Sequence, residues 1–381
     1  MRSWWLSMAV YKDIVSKISV PADKKTKQKE YKKSGKVPIV DQGQNLIGGY
    51  TDDDNKVLNC EKPVIIFGDH TCAVKFISFP FGVGADGVKV LKPKADVLPK
   101  YLYYGTQYLV LQLQDRGYAR HYQHIEKMNL PIFSIPEQEN IVAKIEEMFS
   151  QLDEGIETLD KIKYQISIYR HAVLKDAFRN LYEKKRIREI TSIVTSGSRG
   201  WAKYYSDSGT SRFVRITDLT RDKISLKNDS IQYLDLPDNV EGKRSRLCEN
   251  DVLVSITADL GSIALVPANM GEAYINQHIA MVRFNNSKQG KFMAFYLKSD
   301  YGQRDLLKNK RGGGKLGLGL DDIRNIMVPN VTDKQAENIV CEIESRLSVC
   351  DSIEQTIDNV LAQADALRQS ILKKAFEGRL I

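Results

Sequence analysis

Residues 136–149 read PEQENIVAKIEEMF, and residues 334–347 read KQAENIVCEIESRL. Laid without a gap over 42 positions, residues 139–180 and 337–378 agree at sixteen of them. The identities include Asp153 with Asp351, Arg170 with Arg368 and Phe178 with Phe376. Both copies open on S/T-x-x-E/Q, Ser134 to Glu137 and Thr332 to Gln335, the pattern that satisfies the orphan amide donors of a helix start. Asn180 and Gly378 fall at equivalent exits. Both residue types readily take the left-handed backbone that ends a helix. The spacing therefore predicts two long helices that start and stop by the same devices.

Their apolar residues recur at threes and fours, as in a coiled-coil seam. The candidate seam positions are Ile141, Ile145, Leu152, Leu159 and Ile166 in the first copy and Ile339, Ile343, Ile353, Ile357 and Leu367 in the second. Each helix could pack only on its own neighbouring domain. Against that, about 40 residues at 1.5 Å each span roughly 60 Å, more than a small domain's diameter. Such a helix needs a partner along its length, and its own copy is the available one.

Each helix follows a segment with the same coarse order of short β-like runs, polar loops and then a helix. In the first segment the predicted strands are Val37–Val40, Val64–Phe67, Ala73–Ile77 and Gly87–Leu91, with a helix near 100–114. In the second they are Phe213–Thr217, Val252–Thr257, Ser262–Val266 and Ile279–Phe284, with a helix near 291–307. A weaker match lays DIVSKIS (13–19) over EITSIVT (189–195). The expected fold is mixed α/β. Two pseudo-symmetric domains, 1–133 and 183–331, alternate with two helical spacers, 134–182 and 332–381. A length of 381 residues agrees with more than one core.

The charge balance, 56 Lys and Arg against 48 Asp and Glu, suits a polyanion binder but also many enzymes. Five cysteines without a CxxC pair argue against zinc clusters and disulfide frameworks and for a reducing cytoplasm. The start MRSWWLSMAVYKD is too quickly polar for a signal peptide, and no run reaches the roughly 18 apolar residues of a membrane span. A soluble cytoplasmic protein with no membrane partner is expected.

The catalytic motifs fail on context. GVGADG (82–87) fits G-x-G-x-x-G, but a β-like run follows it where a dinucleotide site needs a helix. GGGK (312–315) lacks the Ser/Thr of a phosphate-binding loop. His121 and His124 have no ligand partners in metal spacing. No amino-methyltransferase signature, helicase P-loop or clustered acidic nuclease site is present. No metal and no cofactor are expected in this chain.

What the domains do carry is basic, aromatic and amide-rich loops. KKTKQKEYKK (24–33) is either a solvated surface or a phosphate contact through Lys24 and Lys25. DQGQ (41–44) places Gln42 and Gln44 beside a glycine, and Gln pairs bidentately with adenine. RGYARHYQH (116–124), with Arg116, Arg120, His121 and Tyr122, and KNKRGGGK (308–315), with Lys310, Arg311 and Lys315, lie just before each long helix. TSGSRGWAKYY (195–205) adds Ser198, Arg199, Trp201, Lys203 and Tyr204. Arg pairs with guanine, and small residues admit phosphate to the backbone. Any one loop could be ordinary surface; several of them over two paired domains point to DNA.

At these residues the chain resembles the specificity subunit of type I restriction-modification enzymes. Pro136-Glu137-Gln138 with Ile141, Val142, Ile145 and Glu146, and the closing ILKKAFEGRL (371–380), are similar to the edges of that family's helical regions. GKVPIVDQGQNLIGGYTDD (35–53) looks like one type of its target-recognition domain, and SGSRGWAKYY with DVLVSITADLGSIALV (251–266) like another. The second helix departs from the pattern, with VTDKQAEN where the family has Pro and Glu-Gln. The resemblance implies one domain per half of a split target in double-stranded DNA. It implies two helices paired antiparallel as a ruler between the halves, and two methyltransferase subunits docked on them. Restriction subunits would complete a cleaving complex, and S-adenosylmethionine and ATP would belong to the partner subunits. Half-sites ten base pairs apart lie about 34 Å apart, a distance that a helical rod holds and a flexible linker does not. The competing readings are a coiled-coil scaffold for proteins without sequence-specific DNA reading, and a fused enzyme.

Overall fold

The computed structural model describes residues 7–113, 120–229, 231–237, 243–308 and 317–380. The chain divides into two units, one made of residues 1–159 and 358–381 and the other of residues 160–357.

In the first unit the run Val64–Gly68 is buried at every position, as a central strand covered on both faces must be. It anchors an antiparallel four-stranded sheet in the order Val15–Ile18, Val88–Pro93, Val64–Gly68, Val74–Ile77. The second unit repeats this with Thr191–Ser196, Ile279–Phe284, Val252–Ser255 and Ile263–Leu265, again all antiparallel. A short helix leads into each edge strand, Tyr11–Ile14 in one unit and Ile187–Ile190 in the other, which gives the weak DIVSKIS match a structural counterpart.

Each unit adds a smaller mixed four-stranded sheet, and a parallel pair recurs in both. Val37–Val40 runs beside Gly82–Gly84, and Ser211–Val214 beside Ala273–Ile275. A two-stranded ribbon closes each unit just before its long helix, Ser7–Val10 with Asn129–Ile132 and Lys184–Arg186 with Met327–Pro329. Two local expectations change. The strand expected at Phe213–Thr217 stops at Val214, and a 3-10 turn follows at Ile216–Asp218, where the Asp218 carboxylate accepts from Arg215 N at 2.8 Å. The helix expected near 291–307 is two, Gly290–Lys298 and Asp300–Leu307, because Ser299 turns extended and its hydroxyl caps the second through Gly302 N.

The long helices run over Ile135–Ala177 and Asp333–Phe376. Both predicted helix starts bond across their motifs, and the second closes the full reciprocal capping box. Ser134 N and Oγ donate to the Glu137 carboxylate at 2.9 and 2.7 Å. Thr332 N donates to Gln335 Oε1 at 3.0 Å, and Gln335 N returns a bond to Thr332 Oγ1 at 3.4 Å. The exits differ. Gly378 takes φ 70 and closes a Schellman pair of bonds, Arg379 N to Lys374 O and Gly378 N to Ala375 O. Asn180 is not among the left-handed residues, so the first helix ends without that device.

The departure at the second helix start has a local compensation. Gln138 is wholly buried; it accepts from Leu98 N at 2.8 Å and donates to Asp96 O and Phe133 O at 2.8 and 2.9 Å. Its repeat mate Ala336 cannot make these bonds. There Asp333 instead accepts from Asn286 and Gln289, each at 2.8 Å.

Each unit's core receives the start of one long helix and the end of the other. In the first, Ile141 and Ile145 join Ile371, Leu372 and Phe376 around Tyr101 and Leu102. In the second, Val173, Leu174 and Phe178 join Ala336 and Ile343 around Phe292 and Tyr296. Lys100 pairs with Glu146 at 2.6 Å and Lys291 with Glu344 at 2.9 Å, so each domain helix grips the long helix that follows it at the same repeat position.

Within each unit the helix segments run antiparallel. In the second, Arg170 meets Asp351 at 2.6 Å and Glu354 at 2.9 Å, while Arg346 lies 3.6 Å from Asp176. In the first, Arg368 pairs with Asp153. The two ion pairs are repeat mates of each other. Burial in the second helix recurs every seven residues, at Ala336, Ile343, Cys350, Ile357, Ala364 and Ile371. The other column of the seam is half-buried Val340, Leu347, Glu354, Leu361 and Arg368. Ile353 and Leu367, read from the sequence as seam positions, are 41% and 48% exposed. Charged Glu354 and Arg368 sit in their column because they serve the ion pairs, and an apolar count passes over them. Ile339, Leu152 and Leu159 are half-buried, and Ile166 is buried.

Candidate nucleic-acid interface

A concavity lies in the second domain. Ser198, Arg199, Trp201, Lys203 and Tyr204 line one cavity of about 760 Å³. The loop that supplies them leaves the edge strand Thr191–Ser196 and folds back as the 3-10 turn Trp201–Tyr204. Gly197 must be glycine for this approach, since a Cβ there would meet Ile275 O at 1.9 Å. Ser198 then bridges to Asn276. Gly200 supplies the left-handed turn at φ 74.

The side chains divide by role. Trp201 is 5% exposed and packs on Phe213 and Tyr274 at ring distances of 6.0 and 5.2 Å, so it is the floor of the cavity. Arg199 and Lys203 are exposed at its rim, with the Lys203 ammonium 4.8 Å from the Tyr204 ring. The cavity adds Arg244 and Gln277, which the sequence reading did not single out. Among the described residues its lining holds three cations, Arg199, Lys203 and Arg244, and no carboxylate. The only signal available for Gln277 was its place in Asn-Gln-His between two apolar runs.

In the first domain the candidate residues sit at the ends of neighbouring strands in the small sheet ordered Lys25–Thr26, Gly82–Gly84, Val37–Val40. Lys24 donates to Asn55 O, and Lys25 is exposed. Gln42 Oε1 accepts from His70 N at 3.3 Å, and Gln44 donates to Thr71 O at 3.3 Å. The loop is held from below by buried Lys75, which donates to Asp41 O at 2.8 Å. Burial pushes the Lys75 ammonium down, against the pull of the Asp41 carboxylate 3.6 Å away.

His121 and Tyr122 do not face solvent. Both are buried, with their amides bonded to Asp69 O and Asp69 Oδ1 at 2.8 and 2.9 Å. Lys17 lies 4.4 Å from the Tyr122 ring. Arg120 is exposed. Arg116, Lys310, Arg311 and Lys315 lie outside the described residues. Among the described residues no helix is long and apolar enough to cross a membrane.

The chain matches known proteins along most of its length. The family model described as the type I restriction modification DNA specificity domain matches twice, over residues 12–167 and 180–363. The EcoBI specificity subunit of Escherichia coli is 26% identical over 282 residues, which cover 66% of this chain and 58% of that protein. The chain thus spans little more than half the length of that relative. The EcoR124I/EcoR124II specificity subunit of Escherichia coli is 23% identical over 372 residues, covering 93% and 89%. In fold, the chain resembles one solved in work on complex assembly and conformational transition of the type I R-M system, at TM-score 0.67 and 14% identity over 98% of each. It also resembles the HsdS subunit from Thermoanaerobacter tengcongensis, at TM-score 0.50 and 14% identity over 99% of this chain and 98% of that one. With the family matched once on each of two domains built on the same sheet order, the chain belongs to the type I restriction modification DNA specificity family.

Proposed function

We propose that the chain is the DNA-reading subunit of a type I restriction-modification complex and reads a split double-stranded target, one domain per half-site. Domains 1–133 and 183–331 are the readers; helical spacers 134–182 and 332–381 set the interval and carry two methyltransferase subunits. Restriction subunits join that assembly, in the cytoplasm. The chain itself is non-catalytic, and S-adenosylmethionine and ATP are bound by the partners. The observation that carries this reading is the repetition of one sheet order, one helix start and one reciprocal ion pair in two domains. A single-site enzyme has no use for that duplication, whereas a two-part target requires it.

In the second half-site the basic rim, Arg199 with Lys203, supplies phosphate and base contacts, and Ser198 and Tyr204 line the same hollow over the Trp201 floor. In the first, Lys24, Lys25, Gln42, Gln44 and Arg120 are the contacts we assign. Arg199→Ala should lower discrimination in one half-site by on the order of 10-fold and leave the other half's preference intact. Selection of duplexes from a randomised pool by the complex with its methyltransferase measures both halves at once. Equal loss of preference in both halves would contradict one reader per half.

A further inference from the structure

We infer that Gln277 is a base-reading side chain and that the base it takes is adenine, an assignment that rests on the DNA-reading role of this domain. Gln277 lines the basic cavity from the turn between Ala273–Ile275 and Ile279–Phe284. Its amide is not free to rotate. Gln277 Nε2 lies 2.9 Å from His278 Nε2, and His278 Nδ1 lies 2.6 Å from Thr257 Oγ1. An amide nitrogen only donates, so the ring Nε2 accepts and the ring proton sits on Nδ1, directed at the threonine hydroxyl. The backbone is pinned as well, with His278 N donating to the Asn276 side chain at 3.1 Å and Ile256 N to His278 O at 2.9 Å.

This arrangement consumes one of the two amide hydrogens. What remains is one N–H and a carbonyl oxygen with both lone pairs, to which no other described group bonds. That donor–acceptor pair matches the major-groove edge of adenine, whose N7 accepts and whose N6 amino group donates. Guanine presents two acceptors there and would set one against the amide oxygen. Arg199, Lys203 and Arg244 on the same cavity supply the positive charge that brings a DNA strand to this side chain.

The test is sequencing of DNA methylation in a methylation-free host that carries the partner methyltransferase with the wild-type chain, Gln277→Ala or Gln277→Glu. The wild-type motif should hold an adenine in one half-site that Gln277→Ala relaxes to any base, with discrimination there falling on the order of 10-fold. Gln277→Glu keeps the shape but only accepts, and should move that position from adenine toward cytosine. All other positions, including the whole opposite half, should hold. An unchanged wild-type motif in both variants would overturn the assignment and leave the two-reader account standing. So would a uniform fall in methylation with no position relaxed, which is the signature of a phosphate contact. A wild-type chain that yields no split motif would remove the DNA-reading role itself, and the assignment with it.

Discussion

Phe376→Ala should destabilise the first unit by about 3–5 kcal/mol, the range for a fully buried aromatic ring. Phe376 is 1% exposed and closes the second long helix. Its ring lies 5.0 Å from Tyr101 and stacks at 5.2 Å on Tyr108. A Cβ on Gly105 would come within 3.3 Å of it, so the pocket has no slack. The loss therefore combines transfer free energy with a cavity that neighbouring side chains cannot refill. Hydrogen exchange followed by mass spectrometry separates the units. Protection should fall in Pro99–Val110 and persist in Gly290–Lys298. The repeat mate Phe178, edge-on to Phe292 and Tyr296 at 5.5 and 5.4 Å, reverses that pattern when it is replaced. Equal loss in both helices from either variant would contradict two separately closed cores.

Arg170→Ala should cost about 2 kcal/mol, whereas its repeat mate Arg368→Ala should cost less than about 1 kcal/mol. The Arg170 guanidinium is 8% exposed and reaches two carboxylates, Asp351 at 2.6 Å and Glu354 through both oxygens at 2.9 and 3.2 Å. Breaking a buried pair costs about 3–5 kcal/mol. The figure here is lower because Asp351 is half exposed and Lys223 still holds it at 2.7 Å. Arg368 reaches one carboxylate, mostly exposed Asp153, and lies 5.0 Å from the Phe149 ring, contacts in the range of surface pairs. Urea denaturation of the two variants measures the difference, and equal costs would contradict the role given to burial.

The Arg170 effect also has a pH signature. Burial pushes the Asp351 carboxyl up, but the bonds and charges of Lys223 and Arg170 outweigh it and hold the group below its usual 3.8. A depressed carboxyl stabilises the fold above its unfolded value. That contribution is lost as pH falls through the folded value. The gap between wild type and Arg170→Ala should therefore narrow below about pH 4.

The long helices were legible because their signals are local. Ser134, Glu137, Thr332 and Gln335 cap through bonds three residues apart, and such spacing is visible in a string. So were the central strands Val64–Gly68 and Val252–Ser255, whose unbroken apolar runs state their burial directly. The seam was only half legible. Glu354 and Arg368 are polar positions that face the partner helix, and no apolar count finds them until Arg170 and Asp153 are known to lie opposite. The cavity was legible on one side, where SGSRGWAKYY is continuous in sequence. Arg244 and Gln277 reach it from distant turns, and only the fold brings them there. His121 and Tyr122 looked like loop residues because their basic neighbours do; the carboxylate and carbonyl of Asp69, some fifty positions earlier, draw their amides inward.

This chain alone should supply the two-part DNA specificity of its complex. The direct measurement is methylome sequencing of a methylation-free host carrying this chain with its methyltransferase partner, beside a host carrying the methyltransferase alone. A motif of two short defined halves separated by unspecified bases should appear, methylated only when this chain is present. No new motif, with both proteins expressed and shown to associate, would contradict that specificity and leave a protein scaffold as the better description.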